Sequence, residues 1–427
     1  MSAASTEPTR SSPRVVIVGA GFGGLTAAQH LAHTPVEVVL IDRHNYHLFQ
    51  PLLYQVATAA LSPADIAAPI RHVLRQQKNT TMLLDEVVGV DAAARQVELR
   101  EGGALGFDYL ILATGSVYSY FGHADWPRHA PGLKSIDDAT DIRRRILLAF
   151  EKAETTHDAD AQQRLMTFIL VGAGPTGVEM AGALAELARA ALAEDFRRIN
   201  PRAARILLIE AGPKVLAGFP QKLADFAADS LRRMGVELLL DTTIEAIDAE
   251  GVIANGKRIA SATVVWCAGV EATPAARWLG AEAGRGGTVK VAPDLSVPGH
   301  ADIFVIGDAA LVLDRHGKPL PGVAPVAKQE GRYVAKLIAA RVMGAPTARP
   351  FRYRDQGALA TIGRSSAIAD LPFIKLTGWL AWVLWGIVHI YFLIGFRNRL
   401  SVFVNWAWAW LTYARGARLI TGEKRAD

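Results

Sequence analysis

The chain has 427 residues, enough for two or three domains, and its 51% hydrophobic content and mean hydropathy of +0.19 are high for a protein surrounded by water on every side. Its formal charge of +5 is spread along the sequence without a dense basic tract, which excludes a nucleic-acid partner and leaves only a general attraction to anionic surfaces. A single cysteine, Cys267, excludes an internal disulfide and with it the chemistry of a paired-cysteine reductase. It lies in the apolar run Val264–Gly269, where a free thiol packs as a small hydrophobe.

Met1–Arg14 is polar and has no apolar core of a signal peptide, so residues 1–13 read as a disordered leader and the domains are expected to stay in the cytoplasm. The strand-like run Val15–Val18 then meets Gly19-Ala20-Gly21-Phe22-Gly23-Gly24. In this fingerprint the first Gly permits a tight turn, the second lets backbone approach a pyrophosphate, and the third lets the helix pack on the strand. The phosphates lie on the helix N-terminus. Asp42 closes the next apolar run 18 residues after Gly24, where a ribose hydroxyl needs its acceptor. The strand Phe107–Leu112 ends in Ala113-Thr114-Gly115-Ser116, a turn that can reach a cofactor. A polar, Pro-containing stretch over 122–132 leads into a helix near Asp137–Ala153.

A second fingerprint, Gly172-Ala173-Gly174-Pro175-Thr176-Gly177, follows the run Phe168–Val171. Its acidic partner is Glu210, 33 residues after Gly177, and the extra length over Glu179–Phe196 reads as a long helix. Two fingerprints in one chain point to two dinucleotides held together, most simply FAD and NAD(H). With no cysteine pair, electrons pass directly from the flavin to an external acceptor. The strand Ile303–Ile306 meets Gly307-Asp308, which returns the chain to the first domain and sets a carboxylate near the flavin's ribityl and pyrophosphate. The expected fold is α/β: two Rossmann-like dinucleotide-binding domains, the NAD domain inserted in the FAD domain. The boundaries are 14–120 and 284–345 for FAD, 164–283 for NADH, and 346–427 for a C-terminal helical region of membrane anchoring and dimerisation.

Leu376–Phe396 contains 21 residues without Asp, Glu, Lys or Arg, long enough for a span. Basic residues follow it, including Arg397, Arg399, Arg415 and Arg418, and nothing exports the domains before it, so both ends belong on one side. Leu400–Tyr413 carries a polar stripe of Ser401, Asn405 and Thr412, and six of the nine tryptophans fall in these two segments. The expectation is two interfacial helices, peripheral on the cytoplasmic face of the cell membrane, with a true span or hairpin and a buried or dimer-forming helix pair as the alternatives. Removing the chain beyond about Pro372 should then free it from membranes and leave the flavin domains working.

From about Arg14 to Ile420 the chain resembles the type II NADH dehydrogenases, single-subunit NADH:quinone oxidoreductases. The resemblance rests on Gly19–Leu25, His47–Ala57, Ala113–Ser116, Gly172–Glu179, Val305–Ala309, Val326–Gly331 and the tail His389–Arg399. It implies noncovalent FAD, a monotopic membrane enzyme, a homodimer, a membrane quinone (ubiquinone or menaquinone) as acceptor, and no proton pumping. Cofactor binding is expected from Gly19, Gly21, Phe22, Gly23, Gly24, Asp42, Arg43, Thr114, Gly115, Gly172, Gly174, Pro175, Thr176, Gly177, Glu210, Gly269, Gly307, Asp308, Ala327 and Lys328. Glu179 is implied beside nicotinamide and flavin, Gln329 at a quinone carbonyl or the flavin, and Lys375 near the quinone entrance; no metal is expected. Pro325 stands where the family's Ala-Gln-x-Ala-x-Gln carries its first Gln, which leaves the quinone contact on that side open. A reductase of a soluble electron carrier would need no Trp-rich tail, and an NADH-sensing flavoprotein would show no turnover.

Overall fold

The computed structural model describes residues 12–346, 349–412 and 415–422, so the expected disorder of residues 1–11 lies outside the described residues. The chain forms two compact units, one of Met1–His47, Ala68–Val117 and Val270–Arg354, the other of Leu48–Ala67, Tyr118–Gly269 and Asp355–Asp427.

The first unit is built on a sheet whose strands lie in the order Ser296–Val297, His300–Val305, Tyr109–Leu112, Arg14–Val18, Glu37–Asp42 and Thr80–Leu84. All neighbours are parallel except the edge pair Ser296–Val297 and His300–Val305. Such strands are covered on both faces and so read as continuous apolar runs: Val15, Val16 and Ile17 are fully buried. A three-stranded antiparallel sheet (Val87–Asp91, Gln96–Leu99, Gly103–Gly106) adds Val87, Val90 and Val97 to the core around Val16, Val39 and Leu110. The helices Phe22–His30 and Ala324–Val342 touch through their glycines. A Cβ on Gly331 would stand 2.2 Å from the Gly23 carbonyl oxygen.

The second unit holds the parallel sheet Val236–Leu239, Arg205–Ile209, Thr167–Val171, Thr263–Trp266. In sequence these strands fall between Leu112 and Ser296, so the second Rossmann-like layer is inserted into the first, as expected. The helix Ile136–Thr155 starts on a Ser135–Asp138 capping box, in which each side chain satisfies the other residue's free N–H. The long helix expected over Glu179–Phe196 is shorter. It runs Pro175–Glu186 and ends in a π turn, Leu187–Ala191. The Glu154 carboxylate then accepts from the N–H groups of Arg197, Arg198 and Ile199 and turns the chain out of the helical path.

The apolar run after Pro372 also divides. Lys375–Thr377 is a strand paired with Ala367–Asp370, and the helix covers Gly378–Phe392, followed by Phe396–Thr412. The first helix has 15 residues, about 22 Å at 1.5 Å per residue, well short of a bilayer core of roughly 30 Å. Among the described residues no helix is long and apolar enough to cross a membrane.

Candidate functional site: two glycine loops and a buried polar chain

The first glycine loop follows the strand Arg14–Val18. Gly19 takes φ +98°, and its missing Cβ would stand 2.4 Å from the Ala113 carbonyl oxygen. Its N–H donates to Ile41 O at 2.7 Å. A Cβ on Gly24 would lie 1.8 Å from Gly19 O, whereas a Cβ on Gly21 would meet nothing within 4 Å. Gly19 and Gly24 are thus required by the protein's own packing, and Gly21 keeps space open at the helix N-terminus. Asp42 Oδ2 accepts from Ala20 N at 2.6 Å and Oδ1 from His44 N at 2.7 Å, so this carboxylate is tied into the glycine loop beside it.

The second loop repeats this geometry. Gly172 takes φ +98° and donates to Ile209 O at 2.7 Å. A Cβ on Gly177 would stand 1.9 Å from Gly172 O, and Gly174 again has open space. Glu210 Oε2 accepts from Ala173 N at 2.7 Å and Oε1 from Gly212 N at 2.9 Å. The 33-residue gap therefore does not displace the acid; strand pairing sets its place. Pro175 is exposed at the first helical position, Thr176 is half-buried beside it, and Gly269 is exposed just beyond the strand Thr263–Trp266.

In the first unit Ser116 Oγ donates to Asp308 Oδ2 at 2.7 Å, and Thr273 Oγ1 lies 2.5 Å from Thr114 Oγ1. Gly115, at φ +72°, has open space where a Cβ would be. Gly307 N–H donates to Glu330 Oε2 at 2.6 Å, and burial pushes the Glu330 carboxyl up to about 8, so it is neutral at pH 7. Ala327 is buried, Lys328 half-buried and Arg43 exposed on the turn after Asp42. His47 donates from Nδ1 to Ala20 O at 2.8 Å and meets the Phe22 ring edge-on at 5.2 Å. A carbonyl only accepts, so Nδ1 carries the proton; Nε2 is a buried acceptor that has no protein partner among the described residues, and burial lowers its affinity for a second proton. Open backbone at Gly21 and Gly115, a carboxylate tied to the loop at Asp42 and a buried acceptor at His47 fit a dinucleotide with many hydroxyl donors, and so fit FAD.

The three residues implied in electron and proton transfer are placed differently. Glu179 is buried on the helix Pro175–Glu186 and accepts at Oε1 from Thr361 N at a long 3.3 Å; burial pushes it up to about 8. Gln329 engages its amide at both ends, Nε2 to Arg354 O at 2.9 Å and Oε1 from Arg354 N at 3.0 Å, so it clips a loop. Lys375 is exposed on its strand, opposite Asp370 in register.

Several buried polar side chains carried no sequence assignment. The Tyr54 phenol is held well above its ordinary range by burial and then by Glu179, and it accepts from Gln55 Nε2 at 2.9 Å. Gln55 Oε1 accepts from Trp406 Nε1 at 2.7 Å. His389, pushed down to about 4 by burial, bonds through Nδ1 to Trp385 O at 2.7 Å, and its ring lies 4.3 Å from the Trp385 indole at a 30° tilt. Arg415 reaches Thr58 O at 2.7 Å and Glu186 Oε2 at 3.3 Å. The run Phe49–Ala57 supplied the available signal: adjacent polar and aromatic residues inside a short apolar helix. Cys267 is half-buried, its thiol pushed up to about 12 by desolvation and so unreactive.

The family model described as pyridine nucleotide-disulphide oxidoreductase matches residues 13–331, and that of the NDH2 C-terminal domain matches 356–413. The Mycobacterium tuberculosis type II NADH:quinone oxidoreductase Ndh is 43% identical over 98% of this chain and 93% of its own. The type II NADH:quinone oxidoreductase NdhA of the same organism is 42% identical over 99% of this chain and 93% of its own. Among solved structures, NDH2 from Plasmodium falciparum in complex with NADH superposes with a TM-score of 0.85 at 21% identity, covering 96% of this chain and all of that one. The sulfide:quinone oxidoreductase of Aquifex aeolicus gives 0.73 at 18%, over 91% and 92%. These structures share the fold, and the two mycobacterial relatives match at 43% and 42% identity over nearly the whole chain: the chain belongs to the type II NADH:quinone oxidoreductases.

Proposed function

We propose that this chain oxidises NADH and reduces a membrane quinone without pumping protons, working from one leaflet as a peripheral enzyme on the cytoplasmic face. When bound, FAD supplies the chemistry, taking a hydride from NADH and passing two electrons to quinone. The residues of the chain bind, orient and handle protons. Gly19–Gly24, Asp42, Arg43, Thr114, Gly115, Gly307, Asp308, Ala327 and Lys328 hold FAD; Gly172–Gly177, Glu210 and Gly269 hold NADH. Glu179, neutral at pH 7 through burial, keeps a proton at its carboxyl in a site closed to water. Gln329 and Lys375 serve the quinone, with Gln329 releasing part of its clip on Arg354 to do so. The FAD domain comprises 14–120 and 284–345, the NADH domain 164–283, and the region 346–427 anchors and dimerises.

The observation that carries this reading is the inverted polarity of the helix Phe396–Thr412. Asn398, Ser401 and Asn405 turn inward, to Ala67 O and to both Asp65 carboxylate oxygens. Leu400, Phe403, Val404, Trp408, Trp410 and Leu411 turn out to solvent, and Trp379, Ile387 and Tyr391 do the same on the preceding helix. A continuous outward apolar face of this kind fits lipid, from which a hydrophobic quinone also comes. Steady-state turnover in detergent, with NADH against NADPH and ubiquinone against menaquinone analogues, tests the activity. Reduction of ferricyanide but of no quinone would favour a reductase of a soluble carrier, and a single flavin reduction without turnover an NADH sensor. Sedimentation of the detergent-solubilised protein tests the homodimer.

A further inference from the structure

We infer that Phe121 is a dinucleotide-binding residue, its ring forming one wall of the mouth of the second glycine loop. This rests on the NADH reading of that loop. The geometry runs through three adjoining positions. A Cβ on Gly172 would stand 2.7 Å from Ala268 Cα, so the loop lies directly on the residue before Gly269. Gly269 takes φ +66°, and its missing Cβ would stand 2.7 Å from Phe121 Cζ. The Phe121 ring thus occupies the space that any larger residue at 269 would need. It does so at the carboxyl end of the strand Thr263–Trp266, beside Val171 in register, where open parallel sheets take their ligands.

Phe121 is also 67% exposed and holds φ +52°, a conformation bulky side chains seldom adopt. Burial does not explain that backbone, since the ring is not buried; a tight turn does, with Gly122 also at φ +91° and His123 N–H donating to Tyr120 O at 3.0 Å. The residues before it anchor the turn. Trp266 Nε1 donates to Ser119 O at 3.0 Å, Ser119 N–H to Gly269 O at 3.4 Å, and Tyr120 stacks on Trp266 at 5.2 Å. The Phe121 ring meets the same indole edge-on at 6.2 Å. The segment is therefore pinned at its base and presents an aromatic face to solvent at the ligand end of the sheet. The chemical class it suits is a planar heteroaromatic ring, such as the nicotinamide or adenine of NADH.

The test titrates NAD+ into the FAD-loaded enzyme by calorimetry, a binding readout independent of turnover. Phe121→Ala should weaken NAD+ by about 3- to 10-fold, the scale of one aromatic contact, with FAD content and melting unchanged, and Phe121→Tyr should bind like wild type. Gly269→Ala drives a methyl into the ring and should weaken NAD+ by itself, yet add little on top of Phe121→Ala. Wild-type affinity in Phe121→Ala overturns the inference. Should that variant not hold FAD, Phe121→Leu, which keeps bulk without an aromatic face, gives the same reading. Gly174→Val, which fills the open space of the loop, separates the two levels. If it also keeps wild-type NAD+ affinity, the reading of the loop falls; if it loses NAD+ while Phe121→Ala does not, only the role of Phe121 falls.

Discussion

Trp406 donates its indole N–H to the Gln55 carboxamide oxygen at 2.7 Å, joining side chains 351 positions apart. The Gln55 amide in turn donates to the Tyr54 phenol, which feels the Glu179 carboxyl. A tail helix is thereby connected to the carboxyl group proposed to hold a proton for the reaction.

That connection corrects the expectation that the tail can be cut away. Ala381, Trp385 and Val402 are buried, and Arg415 is latched to Glu186. Losing Trp385 alone should cost roughly 3–5 kcal/mol. Truncation near Pro372 should therefore give an unstable protein that fails to retain FAD, as read by flavin absorbance after gel filtration. Anchoring separates from folding on the outer face instead. Trp379→Glu with Trp408→Glu should release the protein from vesicles in a flotation assay while it keeps FAD and NADH-driven ferricyanide reduction. Wild-type binding should survive high salt, which screens charge within a Debye length of about 10 Å at 0.1 M but leaves apolar contact intact.

The glycines of each loop divide into two kinds. Gly24→Ala places a methyl 1.8 Å from Gly19 O and should lower the melting temperature of the FAD-free protein. Gly21→Ala meets no protein atom, so that temperature should stay at its wild-type value while FAD affinity drops. Equal melting of both FAD-free variants would refute this division.

Glu179 gives a signed pH dependence. Folding raises its pKa from 4.5 to about 8, so the folded protein holds a proton that the unfolded chain gives up between those values. Its contribution to stability is therefore most favourable below pH 4.5 and declines as pH rises to 8. Glu179→Gln removes this loss, and its melting temperature should exceed that of wild type by more at pH 8 than at pH 5. Quinone-dependent turnover of wild type should fall above pH 8, a limb that Glu179→Gln, slower overall, should lack.

Glu210 should set the preference for NADH over NADPH, because its carboxylate repels a 2′-phosphate. Both its oxygens already accept backbone N–H groups, from Ala173 and Gly212. Glu210→Gln turns one acceptor into a donor facing an N–H. NADH kcat/KM should fall roughly tenfold, about the loss of one hydrogen bond to a charged group, and the gap to NADPH should narrow. An unchanged ratio of the two nucleotides would show that discrimination lies elsewhere.

The sequence by itself determined the two glycine loops, their acidic partners and the inserted order of the sheets. Each depends on local backbone demands: a positive φ at Gly19 and Gly172, a close approach at Gly24 and Gly177, and continuous apolar strands covered on both faces. Only the tertiary structure decided what the polar residues of the tail face. Ser401 and Asn405 stand out in the sequence only as a polar stripe; Asp65, more than 300 positions earlier, takes them both and turns the apolar side outward. Helical periodicity tells which residues share a face; it does not tell whether that face meets water, lipid or protein. The buried polar chain from Trp406 to Tyr54 and the Gly269–Phe121 contact have the same origin. Each depends on a partner that the fold brings near, and on desolvation that exists only after the chain has closed around it.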